Sequence, residues 1–385
     1  MLMLKRFLCA GCAVLMLGTL LAGCAPASNA SSTSSVSSSS PVADPAMEGW
    51  EKYTQTWFDV FDTVTTVIGY APSEEEWTTQ MEAMHADLAD YHKLYDIYNH
   101  YDGVTNLYDI NQSAALAPVE VDQRIMDLLL ESKKLHEITE GKMNIAFGSV
   151  LRLWHRYRDA GLDDPEHAAL PPMEDLQAAN LHTSIDDLIL DEDAGTVFFA
   201  DPELKLDVGS VGKGYAVEMV AQAAEARGLS SAILSVGGNI RTIGHKPSGE
   251  NWTAGIQDPW VSAENAGLPI NNSPYIASVY VEDTALVTSG DYQRFYEVDG
   301  KRYHHIIDPD TLMPADYFSA VAVLVPDSGL GDCLSTGLFC LSPEEGQKLV
   351  ESLDGVEAMW MLKDGSIQYS SGFEANIKAT LESTK

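Results

Sequence analysis

Residues 207–214 read DVGSVGKG, and residues 213–227 continue from them as an apolar-rich helical run. Three glycines (Gly209, Gly212 and Gly214) let main chain come close to a ligand. The amides that open the following helix favour an anion, and Lys213 adds a mobile positive charge. The segment is not a Walker A loop, since no Ser or Thr follows the lysine, and it is not GxGxxG. Read alone, it serves equally as a helix-entry turn with a solvated lysine. Its surroundings decide the fold class. Short β-rich runs precede it at 187–190 and 196–199. Beyond the helix come runs at 231–236, 240–243, 252–256, 276–282, 284–288 and 319–325, with Gly237-Gly238 as a turn. Upstream, 55–70 reads as a strand or hairpin. Residues 74–97 carry Trp77, Met81, Met84, Leu88, Tyr91, Leu94 and Tyr95 at helical spacing, and 121–139 repeats that pattern. Polar turn residues fill 98–113, a buried turn and helix is expected at 143–156, and a polar excursion at 158–182. After a helix at 331–341 we expect a closing strand–helix–strand unit. Helices and strands do not alternate strictly, so the class is α+β.

The chain opens MLMLKRFLCAGCAVLMLGTLLAGCAPAS. Lys5 and Arg6 followed by an apolar stretch form a signal-peptide pattern. Leu21-Ala22-Gly23-Cys24 is similar to a bacterial lipobox, in which Cys24 is lipidated; more than one acyl chain suffices for stable anchoring. Residues 1–23 are thus expected to be a lipoprotein leader, 24–49 a lipidated cysteine with a Ser-rich tether, and 50–385 the folded body. This implies an extracytoplasmic, lipid-anchored protein at the cell membrane.

The formal charge is −34, and removal of Lys5 and Arg6 would lower it by two to −36. That balance excludes nucleic acid as a partner. An anionic ligand would need local positive charge or Mg²⁺. Of the cysteines at 9, 12, 24, 333 and 340, only the last two fall in the body. Seven residues apart on one helix, they are too distant for a disulfide and read as small core residues.

Two further segments carry chemistry. In TSGDYQRFYEVDGKRYHHIIDP (288–309), Asp291, Tyr292, Arg294, His304, His305 and Asp308 lie close together. On a strand His304 and His305 face opposite ways, so one at most serves a given cleft as a base. In GDCLSTGLFC (331–340), Asp332 and Thr336 share a helix face, and a carboxylate with a hydroxyl suits Mg²⁺. An N-cap with a buried Thr would look the same.

DVGSVGKGY (207–215), VGGNIR (236–241), TSGDYQRFYEVDGKRYHHIIDP (288–309) and DCLSTG (332–337) occur in this order. Together they closely resemble the ApbE family of flavin transferases, from about Asp59 to about Leu349. The resemblance implies T-fold-like mixed sheets with packed helices in a single large catalytic unit. It implies transfer of FMN from FAD to a Thr or Ser hydroxyl of an exported flavoprotein, releasing AMP. Asp332, Thr336 and the Ser210 carbonyl would ligate Mg²⁺. Tyr98, Met143, Asn144, Ile145, Asp207, Lys213, Gly237, Gly238 and Ile306 would contact FAD. His305, with His304 as second choice, would be the base, and Asp291 would orient a polar group nearby. Three segments depart: Phe61-Asp62-Thr63 stands for Met-Gly-Thr, Met143-Asn144 for Phe-Asp, and Asn239 for Asp. An exported FAD pyrophosphatase and a non-catalytic flavin-binding lipoprotein remain open as alternatives.

Overall fold

The computed structural model describes residues 41–261 and 274–380. The expected leader, Cys24 and most of the Ser-rich segment lie outside the described residues. The body begins earlier than residue 50: the Asp44 amide donates to the Pro247 carbonyl at 3.0 Å, and Met47 is buried.

Strands β1 (Glu51–Val60) and β2 (Thr63–Ala71) form a hairpin whose turn residues Phe61 and Asp62 have φ of +54° and +49°. Asp62 thus holds a left-handed backbone where the resemblance expects glycine; aspartate tolerates that region better than most residues. α1 (Glu74–Tyr95) starts where the Ser73 side chain accepts from the Glu76 amide, and three glutamates occupy its first turn. α2 (Leu107–Ser113), β3 (Val119–Glu120), α3 (Gln123–Ile138), α4 (Gly148–Asp163) and α5 (Met173–Asn180) follow. Then come β4 (Leu188–Asp191), β5 (Thr196–Phe199) and α6 (Gly212–Ala226).

The later strands are β6 (Ala232–Val236), β7 (Asn239–Ile243), β8 (Trp252–Gln257), β9 (Tyr275–Val281), β10 (Ala285–Gly290), β11 (Phe295–Val298), β12 (Lys301–His304) and β13 (Phe318–Val325). The chain finishes with α7 (Ser328–Phe339), α8 (Pro343–Glu351), β14 (Glu357–Leu362), β15 (Ile367–Tyr369) and β16 (Ile377–Thr380). The fold class is α+β.

The main sheet has the order β1-β2-β6-β7-β10-β13-β14-β15, with every neighbouring pair antiparallel. One face is covered by α1, α6 and α7, the other by the small sheet β16-β9-β8. β13 shows why. Val321, Val323 and Val325 pack toward the helices, while Ala320, Ala322 and Leu324 pack toward the small sheet. Both faces are dry, so the strand reads as an unbroken apolar run.

Three expectations need correction. The 98–113 turn region contains α2, whose Asn106 and Asp109 form a capping box. The polar excursion contains α5, which buries only Leu176 and so has little periodicity to read. The closing unit is not strand–helix–strand: α8 comes first, then the β14–β15 hairpin, and β16 joins the small sheet.

The β6–β7 turn, the end of β10 and the start of β13 share one end of the sheet. Gly237 and Gly238, at φ +51° and +98°, make the two-residue turn there. The N-terminus of α6 and the middle of α7 meet at the same end.

Candidate functional site

The Val211 N-cap of α6 supplies no side-chain acceptor. The helix instead receives one from α7: the Gly214 amide donates to Asp332 Oδ2 at 2.8 Å. A Cβ on Gly214 would collide with the Ser328 carbonyl and with Asp332, so glycine is what lets the two helices come this close. Because Gly214 turns its amide to Asp332, the Ser210 carbonyl accepts no backbone hydrogen bond. Thr336 is half-buried, and its hydroxyl has no hydrogen-bond partner among the described residues. Lys213 Nζ lies 3.6 Å from Asp332 Oδ1 and bonds to Asn239 Oδ1. Burial holds the lysine below its usual range, against the opposing pull of Asp332.

This arrangement fits a divalent cation. Asp332, the Ser210 carbonyl and the Thr336 hydroxyl are oxygen donors, the last two without hydrogen-bond partners among the described residues. A small donor set suits Mg²⁺, which keeps water or substrate phosphate as its other ligands. Among the described residues no group of three or more His, Cys, Asp or Glu could hold a metal; a set with a single carboxylate is of another kind.

The two adjacent histidines differ. His304 is buried, its Nδ1 accepts from the Ile306 amide at 3.2 Å, and its Nε2–H donates to the Ala315 carbonyl at 2.8 Å. With both nitrogens occupied, His304 is a structural residue, and the second-choice base is withdrawn. His305 donates Nδ1–H to the Arg294 carbonyl at 3.2 Å, which leaves Nε2 free as an acceptor. Burial, then the Arg294 charge, lower its pKa to about 3, so the ring is neutral.

Beside His305 lies a small cleft lined by Trp154, His155, Arg158, Tyr296, Tyr303, His304 and His305. Tyr98, 60% exposed, presents its ring at this place and approaches His155 Nδ1 with its hydroxyl at 3.3 Å. Asp207 is buried; its Oδ1 accepts from the Gly209 amide at 2.9 Å, and its Oδ2 lies 3.9 Å from His155 Nε2. The charge of Arg294 is felt at Lys213, His155 and His305, and that of Arg158 at both histidines. Three cations therefore gather in an otherwise strongly acidic protein, as an anionic ligand requires.

The remaining expected residues sort by contact. The side chains of Met143, Ile145 and Ile306 are committed to hydrophobic cores, so a ligand there would meet main chain. Asn144 bonds the Thr183 carbonyl and the Ala146 amide, holding its own loop. Asp291 pairs with Lys363 of the β14–β15 turn and not with His305. Cys333 and Cys340 are buried free thiols, as expected. The sequence reading passed over His155 and Arg158, which sit three apart on one face of α4. Their only signal was two polar residues beside Trp154 within an amphipathic helix.

A buried pair braces the site. Arg241 of β7 meets Glu218 of α6 through Nε–Oε2 at 2.9 Å and a second contact at 3.2 Å. Glu218 also accepts from the Ser328 amide at the start of α7, at 2.9 Å. The elements carrying Lys213, Asn239 and Asp332 are thereby tied together. A roomier cavity of about 390 Å³ opens between the end of α1 and the start of α3, and none of the groups above lines it.

Comparison with known proteins agrees with this geometry. The ApbE family matches residues 61–360. A Klebsiella pneumoniae protein named FAD:protein FMN transferase is 31% identical over 268 residues, covering 69% of this chain and 78% of its own. A Treponema pallidum protein of the same name is 31% identical over 283 residues, covering 70% and 74%. The crystal structure of the ApbE protein of Thermotoga maritima superposes with a TM-score of 0.73 at 26% identity, covering 86% of this chain and all of that one. With the glycine turn, the α7 carboxylate and the cationic cleft at one end of the sheet, these likenesses leave one assignment: the chain belongs to the ApbE family.

Proposed function

We propose that the protein is a Mg²⁺-dependent FAD:protein FMN transferase acting on an exported flavoprotein. The observation that carries this reading is the α6–α7 junction. There Gly214 and Asp332 bond at 2.8 Å, the Ser210 carbonyl is left free, and Lys213 stands alongside. Asp332, Thr336 and the Ser210 carbonyl would hold the cation, which when bound would neutralise diphosphate charge. Lys213 and Arg294 would bind the phosphates, and Tyr98 would offer its exposed ring to a flat ring system. His305 Nε2 would take the proton from a Thr or Ser hydroxyl. The hydroxyl oxygen would bond to the phosphorus of the FMN half, the bond from that phosphorus to the bridging oxygen would break, and AMP would leave with that oxygen. Such transfers depend on positioning and charge neutralisation more than on covalent chemistry.

The full chain, FAD, Mg²⁺ and a flavoprotein fragment bearing an acceptor Thr should yield an adduct one FMN heavier by mass spectrometry. Asp332→Ala or EDTA should abolish it. Release of FMN and AMP with no adduct would replace transfer by FAD hydrolysis. Binding of FAD without turnover would leave a flavin-binding lipoprotein. We place the chain on the extracytoplasmic face through lipidated Cys24. Metabolic labelling with palmitate should mark the native protein and be lost in Cys24→Ala.

A further inference from the structure

Asn239 opens β7, and its backbone is paired on both sides, with Val236 of β6 and Val287 of β10. It is 1% exposed. The end of its amide that meets Lys213 must be the oxygen, because an ammonium only donates. The other end, Nδ2, is buried with no hydrogen-bond partner among the described residues. A buried N–H left unmatched is a cost to the fold. The side chain therefore does nothing for packing that an apolar one of the same shape would not do better. What distinguishes it is its one bond, to Lys213.

Asp332 Oδ2 is spent on the Gly214 amide at 2.8 Å, so Oδ1 is the oxygen left for a cation. Lys213 Nζ stands 3.6 Å from that Oδ1, just beyond hydrogen-bond reach. The Lys213 and Asp332 side chains are 21% and 9% exposed, so solvent screens their attraction only in part. Left to themselves they would close to a contact pair, and the ammonium would cover the oxygen that a divalent cation needs. The charge of Arg294 also acts on Lys213, but Arg294 is exposed and fixes no position for the ammonium. Asn239 does fix one, as a neutral acceptor on a strand held from both sides.

We propose that Asn239 is a positioning residue for the cation site: its Oδ1 holds the Lys213 ammonium off Asp332 and so keeps Oδ1 of that carboxylate open to a divalent cation. The inference rests on the Mg²⁺ reading above and adds to it a residue that acts only through Lys213.

The test is equilibrium binding of Mn²⁺ to the full chain without FAD, with free Mn²⁺ read by its paramagnetic resonance signal. Asn239→Leu keeps the side-chain shape and removes the acceptor. It should weaken Mn²⁺ about ten- to hundredfold. Its melting temperature should be unchanged or higher, since no buried N–H is left unmatched. Adding Lys213→Met to it should restore Mn²⁺ binding to near the unaltered level, because the competing ammonium is gone; a merely structural defect at 239 would not be repaired this way. Asn239→Asp keeps an acceptor for the lysine and should bind Mn²⁺ at least as tightly as the unaltered chain. Asn239→Ala, which also lacks an acceptor, carries the same prediction should the leucine variant not fold. Unchanged Mn²⁺ binding by Asn239→Leu, or a double variant as weak as the single, overturns the inference and leaves the Mg²⁺ reading standing. An unaltered chain that binds no Mn²⁺ overturns both.

Discussion

Replacing Arg241 with methionine should be among the most damaging single changes in the described body. Glu218 is 3% exposed and Arg241 8% exposed as side chains, and their two contacts are 2.9 and 3.2 Å. In Arg241→Met the Glu218 carboxylate would keep the Ser328 amide and Gln222 as donors but lose its only close countercharge among the described residues. Removing one member of such a buried pair costs about 3–5 kcal/mol, because the other is left charged and unpaired. The partly exposed Glu225, 3.7 Å from Arg241, can turn to solvent and should add little. Urea unfolding followed by tryptophan fluorescence measures the loss directly. The double variant Glu218→Gln/Arg241→Met removes both charges and should recover more than half of it. A loss below about 1 kcal/mol, or a double variant no more stable than the single, would refute the view that this pair braces α6, β7 and α7.

Gly214→Ala should cost about 3 kcal/mol and abolish FMN transfer, since the new methyl must part α6 from α7; thermal melting with the adduct assay checks both. His305→Gln should lower transfer about 10²- to 10⁴-fold with the melting temperature nearly unchanged. His304→Ala should instead destabilise by about 2–4 kcal/mol by stranding the Ile306 amide and Ala315 carbonyl, so equal stability losses at 304 and 305 would contradict the assignment. His304 and His305 are held neutral, His305 down to about 3, while the unfolded chain protonates near about 6.5. The unfolded state therefore binds more protons, and stability is present above that pH and lost as pH falls below it. The loss is at most about 1.4 kcal/mol per pH unit for each histidine, and denaturation midpoints between pH 7 and 5 should show it.

Much of this protein was legible one segment at a time. Where a helix buries one stripe, as α1 does with Trp77, Met81, Met84 and Leu88, periodicity alone announces it. The same holds for the Gly237-Gly238 turn and for motifs such as DVGSVGKG and DCLSTG, whose chemistry lies in contiguous residues. The short helix α5 escaped notice because it buries a single side chain, and the order of the last elements was misread because short closing strands pair with different sheets. Roles that depend on partners were decided only by the fold. Adjacent in sequence and identical in type, His304 and His305 differ because the Ala315 carbonyl and Ile306 amide occupy both nitrogens of one and leave Nε2 of the other free. Asp291 went to Lys363, and His155 came to Asp207 across fifty-two positions of chain. A hydrogen bond spans about 3 Å while the chain between its partners can run to any length, so local pattern reveals which groups are present and only packing decides which of them meet.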